Sequence, residues 1–446
     1  MSLHLRSLVV LVLVQGALPA AQDFQGPDPG RVVADSAFGP VRAGEIYREV
    51  ACRFGREKRW RSLLENLVQV EVVLQEARKA GIQVDQALLE RRMARLKDLA
   101  RKAGKTLDEQ LRELGLTQST MRYYTKVSLL REKLAAKALG LPLSQVTPSQ
   151  VMLWVKEAMG RYKWKLCLDS LESGIAARVG DKAIPTEVFG WALTAALRKE
   201  RKDLIREMVR IIVSGRRVRE LAAREGIRVT PEDEQAELAR RRANVKKDPR
   251  WHGATLDQLL QAKGSSEAVL RKSRSFQDFI LLEKLVDKKY PRKAQVAYLQ
   301  EHLEEYLARF GESRHLYHIA LKILPGKADE TRRRILDLKK KVRGLATFRL
   351  MARMYSEDRV SGPRGGDLGW VHKVQPGIPQ PLLDLAFELR PLEVGGPVRA
   401  LGMLHILMVS DVRPVPPQEE LLKHVRADLR TLFLKRILQE AKIRYL

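Results

Sequence analysis

The sequence predicts two tandem, mostly α-helical modules followed by a small α+β domain in which helices pack on an antiparallel sheet. Three observations predict it. Charged residues make up 30% and aromatic residues 6% of the 446, a balance that suits long amphipathic helices better than sandwiches or barrels. An ordered self-similarity runs through the first two thirds of the chain. Ala77–Gln86 (ARKAGIQVDQ) resembles Ala222–Pro231 (AAREGIRVTP), Gly104–Gly115 (GKTLDEQLRELG) resembles Gly253–Gly264 (GATLDQLLQAKG), and LLREKL from Leu129 resembles LLEKLV from Leu281. After residue 311 the periodicity changes, and strand-like and helix-like runs follow in the order β-α-α-β-α-β-β.

The chain begins with one basic residue, Arg6, before an apolar run from Ser7 that ends in small residues at Ala20 and Ala21. This is the plan of a secretory signal peptide over residues 1–21, too short for a membrane span. It places the mature protein in the periplasm or another extracytoplasmic compartment. An uncleaved N-terminal anchor, which would leave the protein membrane-associated, is the rival reading. Two cysteines, Cys52 and Cys167, lie far apart with no metal-binding or redox spacing, so unpaired thiols are expected, and neither a metal nor a cofactor.

Residues 22–150 form the first helical module and 151–311 its repeat. Each opens with a short β-like stretch (from Arg31, and from Ile175) that leads into a long helix ending at Gly81 or Gly226, where glycine suits a left-handed C-cap. Each restarts at a capping signal. Thr230 before Pro231 is the N-cap with proline in the first turn, and a Thr-Leu-Asp start opens the next helix in both copies. One more helix, Lys293–Gly311, precedes the α+β domain at 312–413. There, strands are expected over His315–Ile323, Gly396–Ala400 and Leu404–Val412, and helices over Ala328–Val342, Thr347–Tyr355 and Pro381–Phe387. Residues 414–446 return to helix from Gln418 and stop at a strand-like Ile443–Leu446.

The formal net charge is +28, which raises the question of nucleic acid. The basic residues are interleaved with acids along helix faces, as in Glu90–Lys105, and no DNA- or RNA-reading motif accompanies them. No specific nucleic-acid partner is expected, only non-specific attraction to anionic envelope surfaces.

The glycine-rich stretch Tyr355–Val371 (YSEDRVSGPRGGDLGWV), with Ala386–Val398 (AFELRPLEVGGPV) and His405 inside LHILMV, resembles the parvulin family of peptidyl-prolyl cis-trans isomerases over about a fifth of the chain. The helical modules, the leader and the returning C-terminal segment look like the wider arrangement of SurA-type exported foldases, from which the duplicated module departs. The resemblance implies an exported isomerase and chaperone that binds unfolded or partly folded exported proteins and proline-containing peptides. It also implies that Ile443–Leu446 pairs with the opening strand near Val32–Val41. By position, His318 and His405 correspond to the family's bonded histidine pair and Asp358 to the residue beside the substrate amide. Leu368, Ile378, Leu382 and Phe387 line the proline cup. His315, on the opposite face of the strand, competes with His318, but Ile319-Ala-Leu-Lys continues the family's strand from His318. Ile378 stands where Met is usual, Leu382 where Phe is usual, and Gly402 where a hydroxyl residue is usual. A phenylalanine at 382 is therefore expected to raise activity. A catalytically weak parvulin fold that only binds peptides is the alternative.

Overall fold

A computed structural model describes residues 28–113, 117–197 and 200–446. The signal-peptide expectation lies outside the described residues. In chain order the first half holds β1 (Val32–Asp35), β2 (Val41–Arg42), α1 (Ala43–Phe54), α2 (Arg61–Ala80), α3 (Gln86–Lys102), α4 (Leu107–Glu113), α5 (Gln118–Leu139) and α6 (Pro148–Gly160). It continues with β3 (Trp164–Leu166), β4 (Ile175–Val179), β5 (Lys182–Pro185), α7 (Thr186–Leu197), α8 (Leu204–Arg224), α9 (Pro231–Lys247), α10 (Leu256–Ala262), α11 (Glu267–Lys272) and α12 (Arg274–Lys289). Then come α13 (Arg292–Glu301), α14 (Leu303–Phe310), β6 (Ser313–Lys322), α15 (Ala328–Lys341), α16 (Leu345–Tyr355), β7 (Asp367–His372), α17 (Gln380–Glu388), β8 (Val394–Ala400), β9 (Met403–Arg413), α18 (Gln418–Ala441) and β10 (Arg444–Tyr445). The chain divides into two compact units, residues 1–285 with 433–446, and residues 286–432.

In the first unit the helix boundaries follow local chemistry. Gly81 ends α2 in the left-handed conformation, and its amide reaches back to Ala77 and Arg78. Asp85 caps α3 by accepting from the Leu88 amide at 2.8 Å, and Thr230 with Asp233 forms a capping box ahead of Pro231 on α9. The single long helix expected before Gly81 is instead two, because the chain breaks at Gly55. A Cβ there would lie 2.6 Å from both the Ala51 carbonyl and the Phe189 ring of α7, so the packing of another helix admits only glycine where α1 ends. The second copy likewise has two helices, α7 and α8, before Gly226. In the second unit the helix expected over Lys293–Gly311 also breaks, at His302, whose Nδ1 donates to the Tyr298 carbonyl at 2.9 Å and whose ring stacks on Tyr298.

Two three-stranded sheets serve the first unit, in the orders β10-β1-β2 and β3-β4-β5. The chain's last strand pairs antiparallel with β1, Tyr445 opposite Ala34 and Arg444 opposite Asp35. Helices α1 and α7 cross in close contact, so close that a Cβ on Gly190 would fall on the Tyr47 carbonyl. One apolar core containing Val50, Leu64, Val68, Phe189 and Leu193 fills the space around them, and a separate small core of Leu238, Leu256, Phe276 and Ile280 holds α9 to α10 and α12. Cys52 and Cys167 are both free, and burial pushes the Cys52 thiol well above its ordinary pKa. No helix among the described residues is long and apolar enough to cross a membrane.

The second unit is built on a four-stranded antiparallel sheet in the order β7-β6-β9-β8. Both faces are covered, and the two-residue period of β6 and β9 sorts their side chains accordingly. Tyr317, Ile319, Leu321, Ile406 and Met408 pack with Ile335 of α15 and Phe348 of α16. Leu316, Leu407 and Val409 pack with Leu382, Leu383 and Ala386 of α17.

Candidate active site

His318 on β6 and His405 on β9 fall on the face that packs with α17, between the apolar residues of that face. The register sets His318 opposite Leu407 and Ala320 opposite His405, so the two imidazoles are diagonal neighbours across the ladder. Their Nδ1 atoms are 3.2 Å apart, and both residues are buried. His405 Nε2 lies 3.2 Å from the Ala400 carbonyl. His318 Nε2 lies 3.1 Å from Asp358 Oδ2 and 2.5 Å from Ser361 Oγ, and those two oxygens are themselves 2.5 Å apart. His315 bonds Asp367 at 2.9 Å and stacks near Tyr317 and Trp370, away from this network.

The loop between α16 and β7 delivers Asp358 and Ser361 because it is tied to β6 along its length. The Glu357 amide donates to the Ala320 carbonyl at 2.8 Å, and the Ser356 hydroxyl accepts from the Ala320 amide at 3.2 Å. The Gly362 amide closes back on the Asp358 carbonyl at 3.0 Å and the Gly366 amide on the Ser361 carbonyl at 2.8 Å. Gly366 sits at φ +78, and a Cβ there would strike the His318 carbonyl, so only glycine lets the loop lie this close to the strand. The histidine pair, the loop aspartate and the glycines therefore meet at one place. Ser361 completes the network and escaped sequence reasoning; its one signal is the Asp-x-x-Ser spacing, which lets the carboxylate accept from the Ser361 amide at 3.2 Å as well as from its hydroxyl.

Hydrogen-bond partners constrain the protons. The Ala400 carbonyl only accepts, so His405 Nε2 carries a hydrogen. A neutral His405 then accepts at Nδ1, and His318 donates from its own Nδ1. In that state His318 Nε2 is bare, and it faces a carboxylate and a hydroxyl that holds one hydrogen. A further proton, on Nε2 or on the carboxyl, would complete the triangle. Burial pushes both imidazoles below their ordinary pKa. Burial also works against the Asp358 anion, but the Ser361 hydroxyl, the amides of Val360 and Ser361 and the His318 ring outweigh it and hold the carboxyl down at about 2. The resting site is a fixed anion beside a proton-accepting ring nitrogen that is largely shielded from water.

Leu368, Ile378, Leu382 and Phe387 all belong to the apolar cluster under α17. Leu368, Ile378 and Phe387 are partly exposed, and the Arg314 guanidinium covers the Phe387 ring at 4.9 Å. Leu382 is only 2% exposed and has no free face for a proline ring. This reverses the expectation for a phenylalanine at that position. Leu382→Phe would overfill a packed core, a change that typically costs about 1–3 kcal/mol. A lower thermal-unfolding midpoint is expected, with no gain in a protease-coupled isomerisation assay; faster isomerisation at unchanged stability would show that the side chain does face substrate.

The family described as "Rotamase: PPIC-type PPIASE domain" matches residues 318–411. The chain is 26% identical to Chaperone SurA of Aromatoleum aromaticum over 354 residues, covering 78% of this chain and 71% of the relative. It is 26% identical to Chaperone SurA of Alkalilimnicola ehrlichii over 426 residues, covering 91% and 88%. Chaperone SurA of Nitrosospira multiformis is 35% identical over 109 residues, 24% of either chain. Among solved structures, the peptidylprolyl isomerase PrsA from Bacillus anthracis aligns at a TM-score of 0.26 and 18% identity, covering 53% of this chain and 94% of that one. The chain is thus similar to SurA chaperones over most of its length and carries the isomerase-type domain near its C-terminus.

Proposed function

We propose that the protein is an exported foldase whose second unit accelerates cis-trans isomerisation of X-Pro bonds while its first unit holds non-native polypeptide. The observation that carries the reading is the linked set Ala400 carbonyl, His405, His318, Ser361 and Asp358, set into one apolar sheet face. Rotation about X-Pro is opposed by a barrier of ~18–20 kcal/mol from amide resonance, and a catalyst needs only to favour the twisted amide over the planar one. A half-buried anion and oriented polar groups beside an apolar surface supply fixed electrostatics for that, with no covalent step and no cofactor. In this reading Asp358 faces the substrate amide, His318 and His405 hold its position, Ser361 orients the carboxylate, and Leu368, Ile378 and Phe387 receive the proline.

The first unit offers a cavity of about 540 Å³ whose lining mixes apolar Trp191, Ile211 and Ile212 with Arg216, Arg219 and Glu45. Such a surface suits an extended, chemically mixed segment of an exported protein better than one small molecule. The net charge of +28 adds non-specific attraction to acidic clients and anionic envelope surfaces. A peptide-binding protein without useful catalysis is the second reading, favoured by the burial of Leu382. A protease-coupled assay on the full chain decides between them: isomerisation above the uncatalysed rate, alongside suppression of client aggregation, is expected. Suppression with no acceleration would leave only the binding reading.

A further inference from the structure

We infer that the free edges of β1 and β4 are one docking slot built twice, each taking the closing strand of the opposite module, so that the first unit is a strand-exchanged pair of like modules on one chain. The hydrogen bonds carry this. Ala34 faces Tyr445 and Asp35 faces Arg444 in one sheet; Ala177 faces Leu166 and Arg178 faces Lys165 in the other. The Leu446 amide donates to the Val33 carbonyl at 2.9 Å, and the Cys167 amide to the Ala176 carbonyl at 2.7 Å. The Ala43 amide donates to the Arg31 carbonyl at 2.9 Å, and the Thr186 amide to the Gly174 carbonyl at 3.0 Å. Every hairpin residue in these pairs has its counterpart 143 positions later, and every closing-strand residue its counterpart 279 positions earlier.

The helices repeat the arrangement at offsets that drift from 145 residues (Gln83 to Arg228) to 151 (Lys133 to Lys284). Lys133 Nζ reaches the Gln83 carbonyl and Asp85, and Lys284 Nζ reaches the Arg228 carbonyl and Asp233. Thr117 and Ser266 cap the last helical stretch of each copy by accepting the amide three residues on. Tyr47 and Gly190, the residues in contact where α1 crosses α7, are themselves counterparts 143 apart, so the crossing lies on a local two-fold axis.

The closing strands are exchanged between the modules. β3 follows the helices of the first module yet pairs with the hairpin of the second, and β10 follows those of the second yet pairs with the hairpin of the first. Each is introduced by a helix, α6 or α18. The step into that helix takes residues 140–147 in the first module and 290–417 in the second, and the isomerase-type domain occupies the longer step. The slot therefore fits a short extended tail patterned apolar-basic-apolar, Trp164-Lys165-Leu166 or Ile443-Arg444-Tyr445.

The test is made on the full chain. The combined variant Ile443→Trp, Arg444→Lys, Tyr445→Leu and Leu446→Cys puts the other module's closing strand into the β1 slot. It is expected to unfold within a few degrees of the native protein, whereas deletion of residues 443–446 lowers the midpoint clearly further. A combined variant no more stable than the deletion would overturn the inference. Should the deletion not fold, a protease site inserted between the exposed Asp169 and Ser170 gives the second measurement. After cleavage the two fragments are expected to co-elute at the intact mass in native buffer, and their separation there would equally overturn it.

Discussion

Full-length protein carrying Asp358→Asn is expected to isomerise an X-Pro test peptide at least about tenfold more slowly than the native chain, ~1.4 kcal/mol of lost transition-state stabilisation, with little change in its unfolding midpoint. Asparagine keeps the side chain's size and one acceptor oxygen, enough for the buried Ser361 donors, and gives up only the acceptor of the exposed Val360 amide, which water can replace. With the amide oxygen in the Oδ2 place, the Ser361 amide and hydroxyl keep their acceptor while the charge beside His318 Nε2 disappears. Asp358→Ala is a different experiment. It strips the Ser361 hydroxyl and two backbone amides of their acceptor, and Ser361 is fully buried. Leaving buried polar groups unpaired costs about 1–3 kcal/mol, so alanine is expected to slow isomerisation and lower the midpoint together. The two variants separate the electrostatic part played by Asp358 from its part in holding the loop. An unchanged rate in Asp358→Asn, measured in the protease-coupled assay, would mean that the carboxylate only shapes the loop.

What the sequence revealed and what it hid divide along physical lines. Signals that act within a few residues were legible: the left-handed Gly81 and Gly226, the capping boxes at Thr230 and Thr255, and the strand period that puts His318 and His315 on opposite faces. The pairing of β10 with β1 was legible only through family resemblance, since two residues of strand carry almost no pattern of their own. Features set by distant parts of the chain stayed hidden. Gly55 stands where α1 ends, and Phe189, more than a hundred residues away, leaves no room there for a Cβ. Leu382 reads as one apolar residue of a short amphipathic helix, and nothing nearby in sequence says that it is sealed between α17 and the sheet. Ser361 reads as a loop serine until β6 brings His318 to its hydroxyl.

Gly190 belongs to the hidden class and carries the largest expected effect on stability. It lies inside α7, where glycine ordinarily costs a helix up to about 1 kcal/mol relative to alanine, so on propensity alone Gly190→Ala stabilises. The crossing with α1 reverses the sign. A Cβ at 190 would meet the carbonyl oxygen, carbonyl carbon and Cα of Tyr47, all backbone atoms of a helix packed into the same core as Val50, Phe189 and Leu193. Relief requires the two helices to move apart along their contact, which loosens the core on both sides and disturbs the hairpins that lead directly into α1 and α7. A net loss of about 2–3 kcal/mol or more is expected, seen in chemical denaturation as a lower midpoint for the transition of the first unit. Because the obstacle is backbone, trimming the tyrosine ring gives no relief, and Gly190→Ala combined with Tyr47→Ala is expected to remain at least as unstable as Gly190→Ala alone. Recovery of the midpoint in that double variant would locate the contact in the Tyr47 side chain instead, and the backbone crossing inferred for α1 and α7 would be wrong.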